Sequence, residues 1–374
     1  MVSLFVLDPR AVPWMTASVH RWRRRPAGST WGDFGPDDVL GRLNTMGAGQ
    51  VLRGVAEVRD GVVFSLSLPL DHPGGTSLNP NRLPPLVRPT LRAGAVNFHC
   101  AMSRALPGAD DLVSDDLVVL HTQYSTQWDA FGHAGAFFDA DGDGVAEPVY
   151  YNGWRAGADV RGPGPEDVTR AGIASLADVS GAEAGEASTS HAGPVGIEHM
   201  AAHGVQGRAV LVDLAAHFGT ARTIVGRAEL DTVLAADSVV VEPGDVVVLH
   251  TGFADALLDC GGTPTPEVLG SGAVLDGGDR DLRDWVRDSG VAALAADNYA
   301  VEAFPPGRAL RDEPALPLHR LCLFELGIHL GELWHVGPLA AHLRSQGRSR
   351  FLLTAPPLRL PGATGSPVTP IATV

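Results

Sequence analysis

The stretch that most clearly predicts the fold is residues 243–250, Pro-Gly-Asp-Val-Val-Val-Leu-His. Pro-Gly-Asp is a turn signal, and the apolar run after it lacks the strict alternation of a strand with one solvent face. Uninterrupted apolar runs of this kind are typical of strands that are covered on both faces. Four short runs, this one included, therefore predict buried strands: residues 116–121, 209–213, 245–250 and 291–296.

Helical segments lie among these strands. The spacing of apolar residues predicts helices over residues 282–289, 318–326 and 339–345, and Gly327 is expected to end the second of them. Buried strands mixed with helices indicate the α/β or α+β class. No repeat or linker divides the 374 residues, so we expect an N-terminal extension over residues 1–29 and a single domain over residues 30–374.

The composition argues against several classes of partner. All 28 basic residues are arginine, and with 43 acidic residues they leave a formal net charge of −15. We therefore expect neither nucleic acid nor a membrane as a partner. The cysteines at 100, 260 and 322 have no CxxC spacing, which argues against a thiolate zinc site or a disulfide framework. Without a recognisable secretory signal or a long apolar run, the sequence predicts a cytoplasmic protein.

Polar residues are concentrated in residues 121–133, His-Thr-Gln-Tyr-Ser-Thr-Gln-Trp-Asp-Ala-Phe-Gly-His, where a predicted strand gives way to a loop. Buried polar groups cost free energy unless they are paired, so this density indicates a polar site or a metal site, with a hydrogen-bonded loop as the alternative. A second candidate is His319, which lies off the apolar face of the predicted helix 318–326. Its imidazole can bind a metal, carry a proton or be an ordinary surface or capping group.

These two stretches resemble a known family. The bacterial kynurenine formamidase and isatin hydrolase family, often called the cyclase family, has a motif of the form His-x-Gly-Thr-His-x-Asp-x-Pro-x-His. Residues 123–133 of this chain, Gln-Tyr-Ser-Thr-Gln-Trp-Asp-Ala-Phe-Gly-His, keep its threonine, aspartate and last histidine. Further stretches that are similar to the longer members occur in the same order: residues 31–44, 151–153, 207–213, 242–252, 296–302 and 355–372.

The resemblance implies a swivelling β/β/α domain, assembled as a homodimer or homotetramer, that hydrolyses amide or lactam bonds with a divalent metal, Zn or Mn. Transferred by position, the metal ligands would be Gln123, Gln127, Asp129, His319 and Glu332, the last one residue off the family spacing. His133 would be the catalytic acid/base. Asp129 would be a second catalytic residue as well as a metal ligand.

Two departures from the family pattern affect the expected chemistry. Glutamine replaces both metal-binding histidines, and an amide oxygen is a hard, neutral donor that suits Mn²⁺ better than Zn²⁺. We therefore expect manganese rather than zinc, or a site that has lost its metal. Phe131 replaces the family's proline, and together with Trp128 it is a candidate aromatic wall for a flat substrate; both rings are equally compatible with the core.

Three functions remain open on the sequence. The first is a metal-assisted hydrolase acting on an amide, lactam or lactone bond of a small aromatic molecule. The second is a metal-free cyclase, dehydratase or isomerase that uses the same pocket, which the double glutamine replacement motivates. The third is a non-catalytic binding protein, against which the retention of Asp129 and His133 argues.

Overall fold

The computed structural model describes residues 21–163, 188–305 and 314–374. Most of the predicted extension, residues 1–20, lies outside the described residues, as does most of the loop that the composition predicts over residues 181–193. The described part of the extension packs on the domain: the Arg21 guanidinium lies 3.2 Å from the centre of the Trp154 ring, and Arg24 forms an ion pair with Asp139.

The described residues contain these strands: β1 Val63–Ser65, β2 Leu86–Pro89, β3 Leu91–Arg92, β4 Ala95–Val96, β5 Cys100–Ala101, β6 Leu112–Val113, β7 Asp116–Val119, β8 Gln127–Asp129, β9 Ala136–Phe138, β10 Glu147–Val149, β11 Gln206–Asp213, β12 Thr223–Val225, β13 Val246–His250, β14 Ala273–Leu275, β15 Ala293–Ala296, β16 His329–Glu332, β17 Arg350–Thr354, β18 Gly365–Pro367 and β19 Ile371–Thr373. Nine of them form one mixed sheet in the order β1-β19-β17-β11-β13-β15-β16-β8-β18. Its centre, β11-β13-β15-β16, is parallel, and β8 joins β16 in the antiparallel direction.

The helices are α1 Ala48–Val55, α2 Ile197–His203, α3 Leu214–Phe218, α4 Arg227–Ala236, α5 Phe253–Asp259, α6 Pro266–Leu269, α7 Arg280–Asp288, α8 Pro317–His319 and α9 Gly337–Ser345. Helix α8 continues as a π-helical segment, Arg320–Leu326. This segment ends at Gly327, whose φ of +58° is the left-handed conformation expected of a helix-terminating glycine.

Apolar side chains of the parallel strands alternate between two cores. Val247 and Leu249 of β13 face one core, whereas Val246 and Val248 face the other, and β11 and β15 follow the same pattern. Helices α4, α7 and α8 contribute to the first core, and α2 and α9 contribute to the second. The prediction of strands covered on both faces in an α/β domain is therefore confirmed for residues 209–213, 245–250 and 291–296.

The prediction of a buried strand over residues 116–121 is wrong about its burial. Residues 116–119 do form strand β7, but it pairs with β2 in a separate two-stranded ribbon and is largely exposed. Apolar composition favours a strand but does not determine whether another layer of the same chain covers it. This ribbon and the pairs β3-β4 and β5-β6 follow the loop after residue 71, and we call residues 86–119 the ribbon region.

Candidate active site

Strand β8 presents two polar side chains on one face. Successive side chains of a strand point to opposite faces, so Gln127 and Asp129 lie together and Trp128 points away from them. Both polar side chains are fully buried. The amide nitrogen of Gln127 donates to Asp129 Oδ1 at 3.2 Å.

Glu332 lies opposite this pair on strand β16. The antiparallel register makes Glu332 the direct partner of Gln127, and Gln127 Nε2 donates to Glu332 Oε2 at 3.3 Å. One amide group therefore bridges two buried carboxyl groups, those of Asp129 and Glu332. The cross-strand pairing explains how residues 205 positions apart meet in one site.

Helix α8 contributes His319 to the same site. Its Nε2 lies 3.3 Å from Glu332 Oε1, and its Nδ1 lies 2.9 Å from Glu302 Oε1. The π-helical geometry begins directly after His319, and π-helical turns occur frequently at functional sites. Burial alone would lower the pKa of His319, but its hydrogen bonds to Glu302 and Glu332 outweigh burial and raise this pKa to about 10.

His133 is the accessible member of the cluster. It ends the 3₁₀ turn Phe131–His133 that follows strand β8, and its Nε2 lies 3.9 Å from Asp129 Oδ1. Its side chain is 25% exposed, whereas the Asp129 side chain is fully buried. His133 is therefore more accessible to solvent than Asp129.

The two carboxyl groups differ in their electrostatics. Burial raises the pKa of Asp129, and the nearby charge of Glu332 raises it further against the opposing effect of His133. Burial also disfavours the ionised form of Glu332, but the hydrogen bond and charge of His319 lower its pKa below the ordinary value. An added positive charge would therefore favour the ionised form of Asp129 more than that of Glu332.

The donor set fits a divalent cation. Asp129, His133 and His319 each offer one ligand atom, and these atoms lie within 4.8 Å of one another. In addition, Gln127 Oε1 and Asp129 Oδ2 are buried oxygens without a hydrogen-bond donor among the described residues. Buried oxygens of this kind are normally satisfied, and a cation would satisfy both. The set combines two imidazole nitrogens with carboxylate and amide oxygens.

Gln123 lies apart from this cluster. Its side-chain nitrogen donates to Thr364 Oγ1 at 3.2 Å, and its side-chain oxygen accepts from the hydroxyl of Thr122 at 2.8 Å. Both groups of the amide are therefore already engaged, and no contact joins Gln123 to Asp129 within the described part of the chain. Of the ligands that the family resemblance implies, Gln123 is the one that the structure does not bring to the cluster.

The two candidate wall aromatics lie in the core. Trp128 is fully buried, donates its indole N–H to Ala355 O at 2.9 Å and packs edge-on against Trp334. Phe131 is also buried and stacks on the ring of His329, with 4.2 Å between ring centroids. These placements favour the core alternative for both rings over a place on a substrate wall.

A different set of residues lines a cavity of about 420 Å³. Its rings come from Phe253, Tyr299 and Phe304, and its polar groups include Asn79 and Arg222. Arg222 has no ion-pair partner in the described ranges. Tyr299 accepts a hydrogen bond from Asn79 at 3.0 Å, and the charges of Glu332 and Asp129 help raise its pKa after burial, which is the largest cause.

The motifs in residues 121–133 and 318–326 do not point to Glu302, Tyr299 or Arg222. Glu302 and Tyr299 lie in the family-like stretch 296–302, directly after strand β15, and their position at a strand end was an available signal. Arg222 lies in a segment without any distinguishing pattern. Residues 77–81, in the loop after residue 71, also line the cavity.

Comparison with known proteins identifies the family. The sequence model for putative cyclases matches residues 64–303. A crystal structure described as a novel cyclase is 28% identical, with a TM-score of 0.66, covering 92% of this chain and 97% of the other. Isatin hydrolase A from Labrenzia aggregata, bound to benzyl benzoate, is 13% identical, with a TM-score of 0.50, covering 87% and 98%.

No curated protein sequence matches the chain. No helix in the described ranges is long and apolar enough to cross a membrane. The similarity to solved structures and the mixed sheet confirm the expected cyclase-type α/β fold. The family match spans well over half of the residues, and it confirms the resemblance drawn from residues 123–133. The chain therefore belongs to the putative cyclase family.

Proposed function

We propose that this protein is a metal-assisted hydrolase acting on an amide, lactam or lactone bond of a small aromatic molecule. The observation that carries the proposal is the pair of unsatisfied buried oxygens, Gln127 Oε1 and Asp129 Oδ2, next to the imidazoles of His133 and His319. Carboxyl groups packed this closely favour a divalent cation, because its charge offsets their repulsion. Isatin is itself a small cyclic amide, so the name of the structural relative points to the same substrate class.

The residues that would hold the metal are Asp129, Gln127, His319 and Glu332. When bound there, a divalent metal polarises a carbonyl and lowers the pKa of water. The carboxylates supply negative charge and the amide oxygen a hard, neutral ligand, so we expect Mn²⁺ to bind in preference to Zn²⁺.

His133 would move the proton. Its partial exposure and its 3.9 Å separation from Asp129 leave its imidazole free to take a proton from the attacking water and deliver it to the leaving nitrogen or oxygen. Glu332 and Asp129 supply the negative charge of the site. The amide of Gln127 bridges the two carboxyl groups and fixes the distance between them.

The cavity of about 420 Å³ is our candidate for the substrate site. Its volume suits a small molecule, and Phe253, Tyr299 and Phe304 offer faces to an aromatic ring. Arg222 supplies a positive charge that no described residue pairs, and this charge would favour a substrate or product that carries a carboxylate. Hydrolysis of an amide or a lactone produces such a carboxylate.

The alternative function is a metal-free cyclase, dehydratase or isomerase. The observation that favours it is the donation of Gln127 Nε2 to both Asp129 and Glu332, which links the carboxyl groups without a cation. In that case His133 and Asp129 would exchange protons with the substrate directly. Metal content separates this alternative from the hydrolase, and ligand affinity without turnover would indicate a binding protein.

The direct test is a hydrolysis screen with purified protein, before and after chelation and after addition of Mn²⁺. Aromatic lactams, formamides and lactones are the panel, with release of the carboxylate followed by mass spectrometry. Turnover that chelation removes and Mn²⁺ restores would support the proposal. Turnover that is unaffected by chelation would contradict the metal-assisted mechanism and favour the alternative.

We also propose that a second copy of the chain covers the ribbon region. Val87, Leu91 and Leu112 are 62%, 72% and 66% exposed, in short ribbons that have few contacts with the sheet. Exposed apolar surface concentrated in one segment is typical of an interface. Light scattering should give a mass that is a multiple of 39.1 kDa. Leu91→Glu should lower this mass and the control Leu52→Glu, on α1, should not; a monomeric parent would contradict the proposal.

A further inference from the structure

Glu302 is a buried carboxylate that the proposed chemistry does not use. It is 1% exposed and lies at the far side of His319 from Glu332. Its Oε1 accepts hydrogen bonds from His319 Nδ1 and from the His319 backbone N–H, both at 2.9 Å. Its Oε2 accepts from the Leu318 backbone N–H at 3.0 Å. A buried carboxylate with this many donors has a fixed position.

The backbone around Glu302 is unusual in a way that places this carboxylate. Ala300 and Val301 have φ values of +69° and +56°, a conformation that a β-branched valine rarely adopts. On the other side, a Cβ at Gly277 would lie 1.9 Å from Glu302 Oε2, so only glycine leaves room. Glu302 thus lies between a turn of strained backbone conformation and a position that admits only glycine. Strained backbone of this kind is typical of functional sites.

The hydrogen-bond pattern determines which nitrogen of His319 keeps its proton when the ring is neutral, the form that binds a metal. An ionised carboxylate can only accept hydrogen bonds, so His319 Nδ1 must be the donor to Glu302. The ring is thereby oriented with Nε2 towards Glu332, Asp129 and His133. Metal-binding histidines are commonly held in this way, with the other ring nitrogen donating to a carboxylate.

We propose that Glu302 is a positioning residue that fixes the tautomer and ring orientation of His319, so that Nε2 is presented to the metal. This inference rests on the proposed metal-assisted function and deepens it. In this role Glu302 acts through His319 and not by binding substrate or metal itself. It also caps the first turn of helix α8 through Leu318 and His319, so the position of the helix and the orientation of the ligand depend on the same carboxylate.

The test compares Glu302→Gln with the control Glu325→Gln, whose carboxyl group lies on the π-helical segment that follows His319 and pairs with Arg320. Calorimetry should show that Mn²⁺ affinity falls about 10- to 100-fold in Glu302→Gln and stays unchanged in the control. The absorption spectrum of bound Co²⁺ should change only in Glu302→Gln. Equal Mn²⁺ affinity in the parent and Glu302→Gln would overturn the proposal.

A second readout needs no metal and separates this proposal from the proposed function. In the metal-free parent, NMR should detect a slowly exchanging Nδ1 proton on His319, and Glu302→Gln should weaken or shift it. Absence of that proton in the parent overturns the positioning role, even if Glu302→Gln does not fold. If the parent binds no metal but shows the proton, the metal-assisted function fails while the positioning of His319 by Glu302 is supported.

Discussion

The side-chain amide of Gln127 lies 3.3 Å from Glu332 Oε2, and the two residues face each other across the β8-β16 pair. The same nitrogen lies 3.2 Å from Asp129 Oδ1, so the amide N–H groups are used between carboxylates and the amide oxygen is left without a donor. A glutamine at this position therefore performs two tasks: it spaces the carboxyl groups and offers a neutral oxygen ligand.

Gln127→His should change the metal preference of the site. Replacing a hard amide oxygen by an imidazole nitrogen favours Zn²⁺, so the ratio of Zn²⁺ to Mn²⁺ affinity should rise about tenfold or more. Competition titrations with both metals would measure this. Gln123→His is the matched control, since the Gln123 amide is engaged with Thr122 and Thr364. An equal effect in both variants would place Gln123 in the metal site and contradict the arrangement.

His133→Ala should lower turnover about 10²- to 10⁴-fold, because the proton carrier is lost. The melting temperature should change little, since this side chain is partly exposed. His329→Ala is the comparison: its ring is buried and stacked on Phe131, and Nδ1 hydrogen-bonds Asp129 O at 2.9 Å. The His329→Ala variant should therefore have a markedly lower melting temperature. Loss of stability in His133→Ala equal to that in His329→Ala would assign His133 a structural role.

Arg222→Gln should weaken the binding of ligands that carry a carboxylate. The guanidinium lines the cavity without an ion-pair partner among the residues that the structure describes, and a charge-assisted hydrogen bond contributes about 1.5–3 kcal/mol, or roughly tenfold or more in affinity. Calorimetry with benzoate and with neutral benzamide would measure the difference. Benzoate binding should decline in the variant while benzamide binding is unchanged. A parent protein that does not prefer benzoate would refute the assignment of this cavity.

His250→Gln should reduce stability more at pH 6 than at pH 10. Burial alone would lower the pKa of His250, but its hydrogen bond to Asp213 and the nearby carboxylates of Asp255, 3.6 Å from Nε2, and Asp297 raise this pKa to about 10. Because the folded pKa lies above the unfolded value of about 6.5, the stabilisation is complete below pH 6.5 and is lost as the pH rises through 10.

Urea unfolding of the parent and His250→Gln at the two pH values would measure this loss. The difference in unfolding free energy between the parent and His250→Gln should be smaller at pH 10 than at pH 6, by on the order of 3 kcal/mol. The exposed His203, replaced in the same way, is the control. A difference between parent and His250→Gln that is the same at both pH values would contradict the ion-pair role of His250.

The sequence contained enough local signal for the central strands and the helix that carries His319. Residues 246–249 are apolar throughout, and the parallel strand β13 that contains them is covered on both faces. Gly327 ends the helical segment as its conformational freedom predicts. The exposed strand β7 was mispredicted because its apolar residues have the same local pattern as a buried strand.

The candidate site was less predictable because its contacts join residues far apart in the chain. Asp129 and His133 follow from a local motif, but the bridge from Gln127 to Glu332 depends on the register of two strands. The engagement of Gln123 by Thr364 depends on a contact 241 residues away. Likewise, nothing local to Glu302 indicates that its carboxylate meets a histidine 17 positions later.

The most direct test of the account is metal analysis by mass spectrometry on protein purified without chelators or added metal, with Asp129→Ala prepared in parallel. Asp129 combines an unsatisfied buried oxygen with proximity to both imidazoles, so it should be indispensable to the site. We expect near-stoichiometric metal in the parent, manganese above zinc, and its loss in Asp129→Ala. No metal in either protein, and none taken up when Mn²⁺ is added, would contradict the metal-assisted mechanism.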